Sequence, residues 1–294
     1  MKTLGDITTL REALASFRAQ GGISFVPTMG NLHPGHLQLV REAKRRAGHV
    51  VASIFVNPLQ FGPKEDLASY PRTLAADQEA LAEEGVSLLF APSVETLYPV
   101  PLEQQTRVSV PDISALYCGA TRPGHFDGVA TVVCKLFNIV QPDIAVFGRK
   151  DFQQLAVIRR MVRDLAMPVE IVGVDTVREQ DGLAMSSRNQ YLDAGERALA
   201  PNIYRLLREG AARIRAGDRD YHSLAAQVST QLDSLGFRSD YVAVVDADTL
   251  LAPGEEAQRV AILAAAWLGA ARLIDNIEVP LAAAGSTGQE ESSK

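Results

Sequence analysis

Residues 27–36 have the sequence Pro-Thr-Met-Gly-Asn-Leu-His-Pro-Gly-His, and their position between two patterns indicates the fold class of this chain. They follow the apolar run ISFVPT at residues 23–28, which predicts a β-strand, and they lead into a helical pattern that continues to about Arg46. Gly30 supplies the turn, and Pro34 suits the first turn of a helix because a missing N–H group costs nothing there. A strand that turns directly into a helix is the first half of a βαβ unit.

The same alternation continues outward through the first two thirds of the chain. The run VVASIFV at residues 50–56 is continuously apolar, as expected for a strand that a parallel sheet buries on both faces. Strand-like runs also occupy residues 87–91, 144–147 and 169–174, while helical spacing occupies residues 73–84, 128–140 and 152–167. Because alternating strands and helices form right-handed crossovers, we predict an α/β fold with a Rossmann-like, doubly wound parallel sheet.

The pattern changes near Arg178, where we place a domain boundary. Beyond it, helices are predicted at residues 193–216 and 224–235, and short strands are predicted at residues 241–245, 259–265 and 272–277. We therefore predict a Rossmann-like domain at residues 1–178 and a smaller C-terminal α+β domain at residues 179–294. The tail from about residue 282 is small and polar, which predicts disorder.

The composition is that of an ordinary globular protein. Of 294 residues, 47% are hydrophobic, and 29 basic against 35 acidic side chains give a net charge of −6. This balance argues against nucleic-acid binding, which needs clustered surplus Lys and Arg. The N-terminus carries Asp6 and Glu12 without a signal-like apolar region, and the longest apolar runs fall well short of the ~20 residues of a membrane span. We expect a cytoplasmic protein with no membrane and no nucleic-acid partner.

Residues 27–36 also contain candidate binding and catalytic residues. His33 and His36 are three residues apart, so both side chains can project from one side of the helix start. Free N–H groups and the helix dipole favour phosphate there, and Gly35 lets a ligand approach the backbone closely. A metal site would need further ligands, and the other three histidines of the chain are not spaced as ligands; a purely structural pair is the remaining alternative. We predict a nucleotide-phosphate site.

A second polar segment, residues 184–189 (AMSSRN), follows the last predicted strand of the parallel sheet. Two hydroxyls and a guanidinium on a short loop suit a phosphate clamp that closes from the opposite side. Alone this pattern is common in proteins. Together with His-x-x-His after the first strand, it resembles the HIGH and KMSKS-like signatures of the nucleotidylyltransferase superfamily, whose members attack ATP at its α-phosphate.

Within that superfamily the chain resembles the pantoate–β-alanine ligase (pantothenate synthetase) family. Six blocks occur in the order and spacing of that family, and the resemblance extends from about Gly22 to Asn276, including the late AAWLGAARLIDN. The blocks are PTMGNLHPGH, SIFVNPLQF (53–61), YPRT (70–73), RPGHFDGVATVV (122–133), FGRKDFQQL (147–155) and DGLAMSSRNQYL (181–192).

The resemblance implies an ATP-dependent condensation. The carboxylate of (R)-pantoate attacks the α-phosphate of ATP to give pantoyl adenylate and pyrophosphate, and the amine of β-alanine then attacks the acyl carbon and expels AMP. No enzyme nucleophile is required, so catalysis consists of positioning and charge stabilisation. The family also implies Mg²⁺ and a homodimer, and it makes residues 1–178 the nucleotide- and pantoate-binding domain and the C-terminal domain a lid.

Residue roles are carried over by motif. His36 resembles the family's catalytic histidine, with His33, Lys150 and Arg188 as further catalytic residues. The implied ATP contacts are Met29, Gly30, Asn31, Leu32, His33, Pro34, Gly35, His36, Gly148, Arg149, Lys150, Asp151, Val177, Met185, Ser186, Ser187 and Arg188. The implied pantoate and β-alanine contacts are Gln60, Gln154 and Asn57, and Asp77 is the implied Mg²⁺ ligand.

The chain departs from the family pattern at two positions. Pro34 replaces a commonly acidic residue, which a helix start tolerates. Arg149 replaces a common Glu. Although Arg149 lies in the segment assigned to ATP, we expect its side chain to point to solvent, because Lys150 already supplies the charge that phosphoryl transfer needs.

Two other functions stay open on the residues alone. A nucleotidylyltransferase that transfers AMP to a phosphate acceptor would need extra cationic contacts, whereas Gln60 and Gln154 suggest a neutral grip on the second substrate. A non-catalytic nucleotide-sensing module would tolerate the loss of His36 or Arg188, and both are present.

Overall fold

The computed structural model describes residues 1–63, 65 and 67–281, so the predicted disordered tail lies outside the described residues. The strands are β1 (Lys2–Leu4), β2 (Ile23–Thr28), β3 (His49–Ile54), β4 (Leu88–Phe90), β5 (Ile144–Gly148), β6 (Glu170–Val174), β7 (Arg238–Asp246), β8 (Arg259–Leu268) and β9 (Ala271–Pro280). The helices are α1 (Ile7–Arg18), α2 (Pro34–Arg46), α3 (Leu74–Glu83), α4 (Val94–Leu97), α5 (Cys118–Thr121), α6 (His125–Val140), α7 (Phe152–Asp164), α8 (Ala194–Leu199), α9 (Asn202–Arg215) and α10 (Tyr221–Ser234). Short 3-10 helices occupy Pro58–Gln60, Leu102–Gln104 and Ser187–Tyr191.

A six-stranded parallel sheet with the order β1-β4-β3-β2-β5-β6 forms the first layer. The chain moves from β2 towards β4 in one direction and from β5 to β6 in the other, so the order reverses between β2 and β5. In such sheets the ligand crevice opens at the carboxyl ends of the strands on either side of that reversal. The predicted doubly wound parallel sheet is confirmed, and the crevice lies where β2 leads into residues 29–36.

Both faces of this sheet are buried. Phe25 of β2 and Val51 of β3 pack on one face with α1 and α6, while their neighbours Val26 and Ala52 pack on the other face with α2 and α3. Side chains alternate between faces along a strand, so continuous apolar runs are what a sheet covered on both sides requires. This is why the apolar runs predicted β2 and β3.

The second sheet is antiparallel, with the order β7-β8-β9. On one face it packs against α9 and α10, where Leu206 and Leu224 meet Ile262 of β8 in one apolar cluster. On the other face Ala261 and Leu263 of β8 belong to the same cluster as the parallel sheet. The C-terminal α+β arrangement therefore fits the prediction and borders the crevice directly. No helix among the described residues is long and apolar enough to span a membrane.

Candidate active site

A cavity of about 720 Å³ lies at the carboxyl ends of β2 and β5, and β9 forms its far wall. It brings together side chains that the sequence predicted from four separated segments. The predicted residues that line it are Met29, His33, His36, Asn57, Gln60, Lys150, Asp151, Gln154, Ser186, Ser187 and Arg188.

The two histidines begin α2 and hold each other in place. The Nδ1 atom of His33 accepts a hydrogen bond from the Gly35 N–H (3.1 Å), and the Nδ1 atom of His36 accepts one from the His33 N–H (3.3 Å). A neutral imidazole whose Nδ1 accepts carries its proton on Nε2. Both rings are therefore fixed as Nε2–H donors.

These rings stay neutral at physiological pH. Burial lowers the pKa of His33 to about 3, and the neighbouring His36 and Lys150 contribute to that shift. Burial, with Lys150 nearby, lowers the pKa of His36 to about 4. Phosphate oxygens would thus meet uncharged donors here, while the positive charge comes from Lys150.

Asp77 fixes the loop before α2 from the side that faces away from the main cavity. Its Oδ2 accepts from the Asn31 N–H (2.9 Å) and its Oδ1 from the Leu32 N–H (2.8 Å), while the Thr73 hydroxyl donates to Oδ2 (3.1 Å). The side chain is only 3% exposed and borders a separate cavity of about 340 Å³ on the far side of the loop. Because this buried carboxylate accepts three hydrogen bonds and does not line the main cavity, the structure does not support the predicted role of Asp77 as a Mg²⁺ ligand. The carboxylate fixes a loop whose Gly30 and Asn31 take the left-handed conformation.

Asn57, predicted as a substrate contact, lines the cavity but makes its hydrogen bonds inside the protein. It is 1% exposed, and its amide donates to the Gln60 Oε1 (3.1 Å) and to the Gly128 carbonyl (3.0 Å). Its Oδ1 accepts from the Tyr98 hydroxyl (2.8 Å). These bonds are made inside the protein, and the one to Gln60 orients the Gln60 side chain.

Gln60 reaches the cavity from a short 3-10 helix that α6 approaches very closely. A Cβ atom at Gly128 would lie 2.3 Å from the Leu59 carbonyl oxygen, so only glycine fits there. The Gln60 Nε2 donates to the Met29 thioether at 3.0 Å. Gln60 is thereby fixed beside the loop that precedes α2.

Lys150 lies in the turn between β5 and α7. Burial lowers the pKa of its ammonium, and Arg188 and Arg178 lower it further, while Asp151 and Asp275 raise it. Among the described residues the structure records no hydrogen bond or ion pair of this ammonium. It borders the cavity beside the two histidines, where an anionic ligand would complete its contacts.

The AMSSRN segment lines the cavity next to the loop that precedes α2. The Ser187 hydroxyl donates to the Asn31 carbonyl (3.3 Å), which joins this segment to the phosphate loop across 156 positions of sequence. Ser186 caps the short helix by accepting from the Arg188 N–H (3.2 Å). The two segments that resembled a split phosphate site therefore meet in space.

Several residues assigned to ATP support the cavity and do not line it. The Val177 carbonyl accepts from the Met185 N–H (3.0 Å), so this pair forms the base of the AMSSRN segment. A Cβ atom at Gly148 would meet nothing within 4 Å, which leaves room for a ligand beside the strand end. The assigned residues outside the lining are Gly30, Asn31, Leu32, Pro34, Gly35, Gly148, Arg149, Val177 and Met185.

The Arg149 side chain does not line the cavity, which agrees with the expected outward orientation, and its role as an ATP contact stays a prediction. It is not simply solvated, because its Nη1 donates to the Glu278 Oε1 of β9 (3.0 Å) and its Nε lies 3.4 Å from the Asp175 Oδ1. The side chain is 37% exposed. Arg149, which replaces the Glu that is common in the family, thus forms an ion pair with Glu278 that links the two sheets.

We expect Arg149→Glu to change ATP affinity less than about threefold, because the Arg149 side chain does not line the cavity. It should lower the unfolding free energy by about 1 kcal/mol, since the new carboxylate would face those of Glu278 and Asp175. Calorimetry with ATP and thermal unfolding measure both quantities, and Arg149→Gln, which removes the charge without reversing it, is the matched control. A tenfold loss of ATP affinity that high salt relieves would contradict this orientation.

Sequence reasoning missed Gln153, the neighbour of Gln154. Its Nε2 donates to the carbonyls of Ile113 and Leu116 (2.7 Å each), and its Oε1 accepts from the Cys118 N–H (3.1 Å). The two glutamines share the block FQQL and both line the cavity, but the Gln153 amide makes its hydrogen bonds inside the protein. Only their different positions around the axis of α7 could have distinguished the roles of the two glutamines.

Two charged clusters on the cavity wall were also missed. Arg122 pairs with Glu65 (2.5 Å) and contacts His125, whose Nδ1 lies 2.8 Å from the Gln60 carbonyl oxygen. Burial lowers the pKa of His125 to about 4. Further along, Arg272 pairs with Asp240 (2.6 Å) and approaches the Cys118 Sγ (3.4 Å). These pairs depend on through-space neighbours that no local pattern shows.

Comparisons with known proteins agree on one family. The family model described as pantoate-beta-alanine ligase matches residues 2–278. The pantothenate synthetase of Pseudomonas savastanoi pv. phaseolicola (strain 1448A / Race 6) is 57% identical over 280 residues, which covers 95% of this chain and 99% of that protein.

Solved structures agree as well. The pantothenate synthetase from Thermus thermophilus superposes with a TM-score of 0.87 at 50% identity, covering 94% of this chain and 99% of that chain. The pantoate-beta-alanine ligase from Francisella tularensis, solved in complex with beta-gamma ATP and beta-alanine, superposes with a TM-score of 0.79 at 33% identity, covering 94% and 97%.

Proposed function

This chain belongs to the pantoate-beta-alanine ligase family, and from that premise we propose that it joins (R)-pantoate to β-alanine in two steps at the cavity between its sheets. It is an AMP-forming carbon–nitrogen ligase that uses ATP as a substrate. The observation that carries this proposal is the Ser187–Asn31 hydrogen bond, because it brings the two phosphate-binding segments together beside Gln60.

In the first step a pantoate carboxylate oxygen attacks the α-phosphorus, the bond to the bridging oxygen breaks, and pyrophosphate leaves. Negative charge builds on the phosphoryl oxygens. The neutral Nε2–H donors of His33 and His36 and the charges of Lys150 and Arg188 stabilise it without moving a proton. Fixed donors of this kind need no reorganisation during the reaction.

In the second step the amine of β-alanine attacks the acyl carbon of pantoyl adenylate. The acyl–oxygen bond breaks, and AMP leaves with the oxygen that came from pantoate, while the new amide nitrogen loses a proton. Gln60 and Gln154 hold the pantoyl hydroxyls through both steps, since a neutral amide both donates and accepts without repelling a carboxylate.

The fate of one oxygen tests this chemistry. With pantoate labelled by ¹⁸O in its carboxylate, AMP should carry one labelled oxygen and should form only when ATP, pantoate and β-alanine are all present. A nucleotidylyltransferase that uses a phosphate acceptor would instead give a dinucleotide and unlabelled products. No observation of the cavity favours that alternative.

We propose further that Mg²⁺ enters with ATP, that the chain forms a homodimer, and that it works in the cytoplasm, all from the family resemblance. Among the described residues there is no group of three or more His, Cys, Asp or Glu that could hold a metal ion. Asp77 does not fit as a ligand, so Mg²⁺ would be held chiefly by the nucleotide's phosphates and water. The two-domain division at residue 178, with the C-terminal part acting as a lid, stays part of this proposal.

We expect Gln60→Ala to weaken pantoate binding by about 10- to 100-fold and ATP binding by less than about threefold, because an unpaired buried hydroxyl costs ~1–3 kcal/mol. Gln154→Ala should behave alike. Separate calorimetric titrations with pantoate and with ATP give both constants. Gln78→Ala is a matched control, since Gln78 bonds Thr3 outside the cavity. Equal losses for both ligands would mean that these glutamines only support the architecture.

A further inference from the structure

The strand β9 carries two polar side chains that are almost completely buried. Asp275 is 2% exposed and Asn276 is 7% exposed, and both border the cavity. Buried polar groups are costly unless they are paired, so their partners indicate what they do.

Asn276 bonds the turn that carries Lys150. Its Nδ2 donates to the carbonyl oxygens of Arg149 and of Lys150, each at 2.9 Å. The Arg149 N–H donates to the Val174 carbonyl at 2.8 Å, which ties the start of this turn to the parallel sheet. Asp151, which ends the turn, makes no side-chain cap bond to α7. Asn276 thus supplies the contacts that fix the middle of the turn.

Asp275 braces Asn276 and reaches the other phosphate segment. Its carboxylate binds the guanidinium of Arg178 in bidentate fashion (2.6 and 2.9 Å) and accepts from the Asn276 N–H (2.8 Å). Arg178 also donates to the Gly182 carbonyl (3.1 Å) and stacks on Tyr204 with its Cζ 3.4 Å from the ring centroid. The hairpin that leads to the AMSSRN segment is therefore fixed by the same strand.

We propose that Asn276, braced by Asp275, is a positioning residue that sets Lys150 against the triphosphate. The Lys150 ammonium has no recorded partner among the described residues, so the backbone of its turn determines where that charge lies. Asn276 holds this backbone from a strand 126 positions further along the chain. The C-terminal sheet is then part of the catalytic machinery and not only a cover over it. This inference rests on the proposed role of Lys150 at the phosphates.

We expect Asn276→Ala to lower kcat for adenylate formation by about 10²-fold, because a displacement of about 1 Å at a reacting group has effects of this size. KM for pantoate should change less than about threefold, since Gln60 and Gln154 are untouched. Pyrophosphate release in a single turnover measures the rate. The kcat of Asn276→Ser, which keeps one hydrogen-bond donor, should lie between those of the wild type and Asn276→Ala. If the alanine variant does not fold, Asn276→Ser takes its place in the test.

Glu278→Gln is the matched control. Glu278 lies on the same strand and bridges the same two sheets, but it bonds the side chain of Arg149 and not the backbone of the turn. It should leave kcat within about threefold of wild type. If Glu278→Gln slows the enzyme as much as Asn276→Ala does, general sheet contact and not positioning of Lys150 is responsible, and the proposal is wrong.

A double-mutant cycle with Lys150→Ala decides whether Asn276 acts through Lys150. If it does, the double variant should be no slower than Lys150→Ala alone, within about threefold. If the rate losses of the two single variants multiply in the double variant, Asn276 contacts substrate or acts elsewhere, and the proposal is overturned. A Lys150→Ala enzyme with nearly wild-type rate would instead refute the proposed function of Lys150, so the two failures are distinguishable.

Discussion

His36→Ala is expected to slow pantoyl adenylate formation by about 10²–10³-fold, the usual cost of removing one preorganised donor at a developing negative charge. The expectation rests on the Nε2–H that the His33 N–H···Nδ1 bond fixes (3.3 Å). Alanine also removes that capping contact, which typically costs ~1 kcal/mol of stability. Pyrophosphate release with ATP and pantoate measures the rate, and thermal unfolding measures the stability.

His36→Gln separates donation from proton transfer. Glutamine at this third helical position can still accept from the His33 N–H, as in an ordinary capping box, and its amide keeps a neutral donor. Because the pKa of His36 is lowered to about 4, we expect donation to be what matters, so glutamine should recover at least tenfold over alanine. A glutamine variant as slow as alanine, with normal stability, would show that His36 must transfer a proton.

Asp77→Asn is expected to lower kcat/KM for ATP by about 10²-fold and to reduce the unfolding free energy by about 1–3 kcal/mol, because a buried N–H loses its acceptor. An asparagine oxygen can serve only one of the Asn31 and Leu32 amides, and its NH₂ group would face the other. The phosphate loop would then lose its left-handed conformation at Gly30 and Asn31. Steady-state kinetics over ATP concentration and chemical unfolding check the two quantities.

The Mg²⁺ dependence separates the loop role of Asp77 from a metal role. At saturating ATP, the Mg²⁺ concentration for half-maximal rate should be unchanged in Asp77→Asn. Thr73→Val, which removes only the third bond to this carboxylate, is the milder control and should cost less than about tenfold. A marked rise in the Mg²⁺ requirement with an intact fold would restore Asp77 as a ligand.

The parts of the site that follow from local sequence were predictable. The strand at residues 23–28, the proline at the helix start and the neighbouring histidines all depend on residues within about ten positions of one another, and the structure has each of them. The strand β1 was missed because it has three residues and pairs only at the edge of the sheet. Short edge strands leave little pattern to recognise.

Roles that depend on distant partners were not predictable. Asp77 serves amides 46 and 45 positions away, and Asn57 bonds a carbonyl 71 positions away. Their residue types suit ligand contact as well as internal support, and only the three-dimensional neighbours distinguish the two. Arg149 was predicted to face outward from charge arguments, but its partner on β9, 129 positions away, was not foreseen.

The contact between Asn276 and the Lys150 turn affects when the site can form during synthesis of the chain. A chain leaving the ribosome can pair β1 to β6 once about residue 174 has emerged, since that sheet is complete by then. The turn at Lys150 gains its last anchors only after Asn276 has been made. Nascent chains that lack Asn276 should therefore bind ATP weakly and form little adenylate, because the Lys150 turn is not yet held.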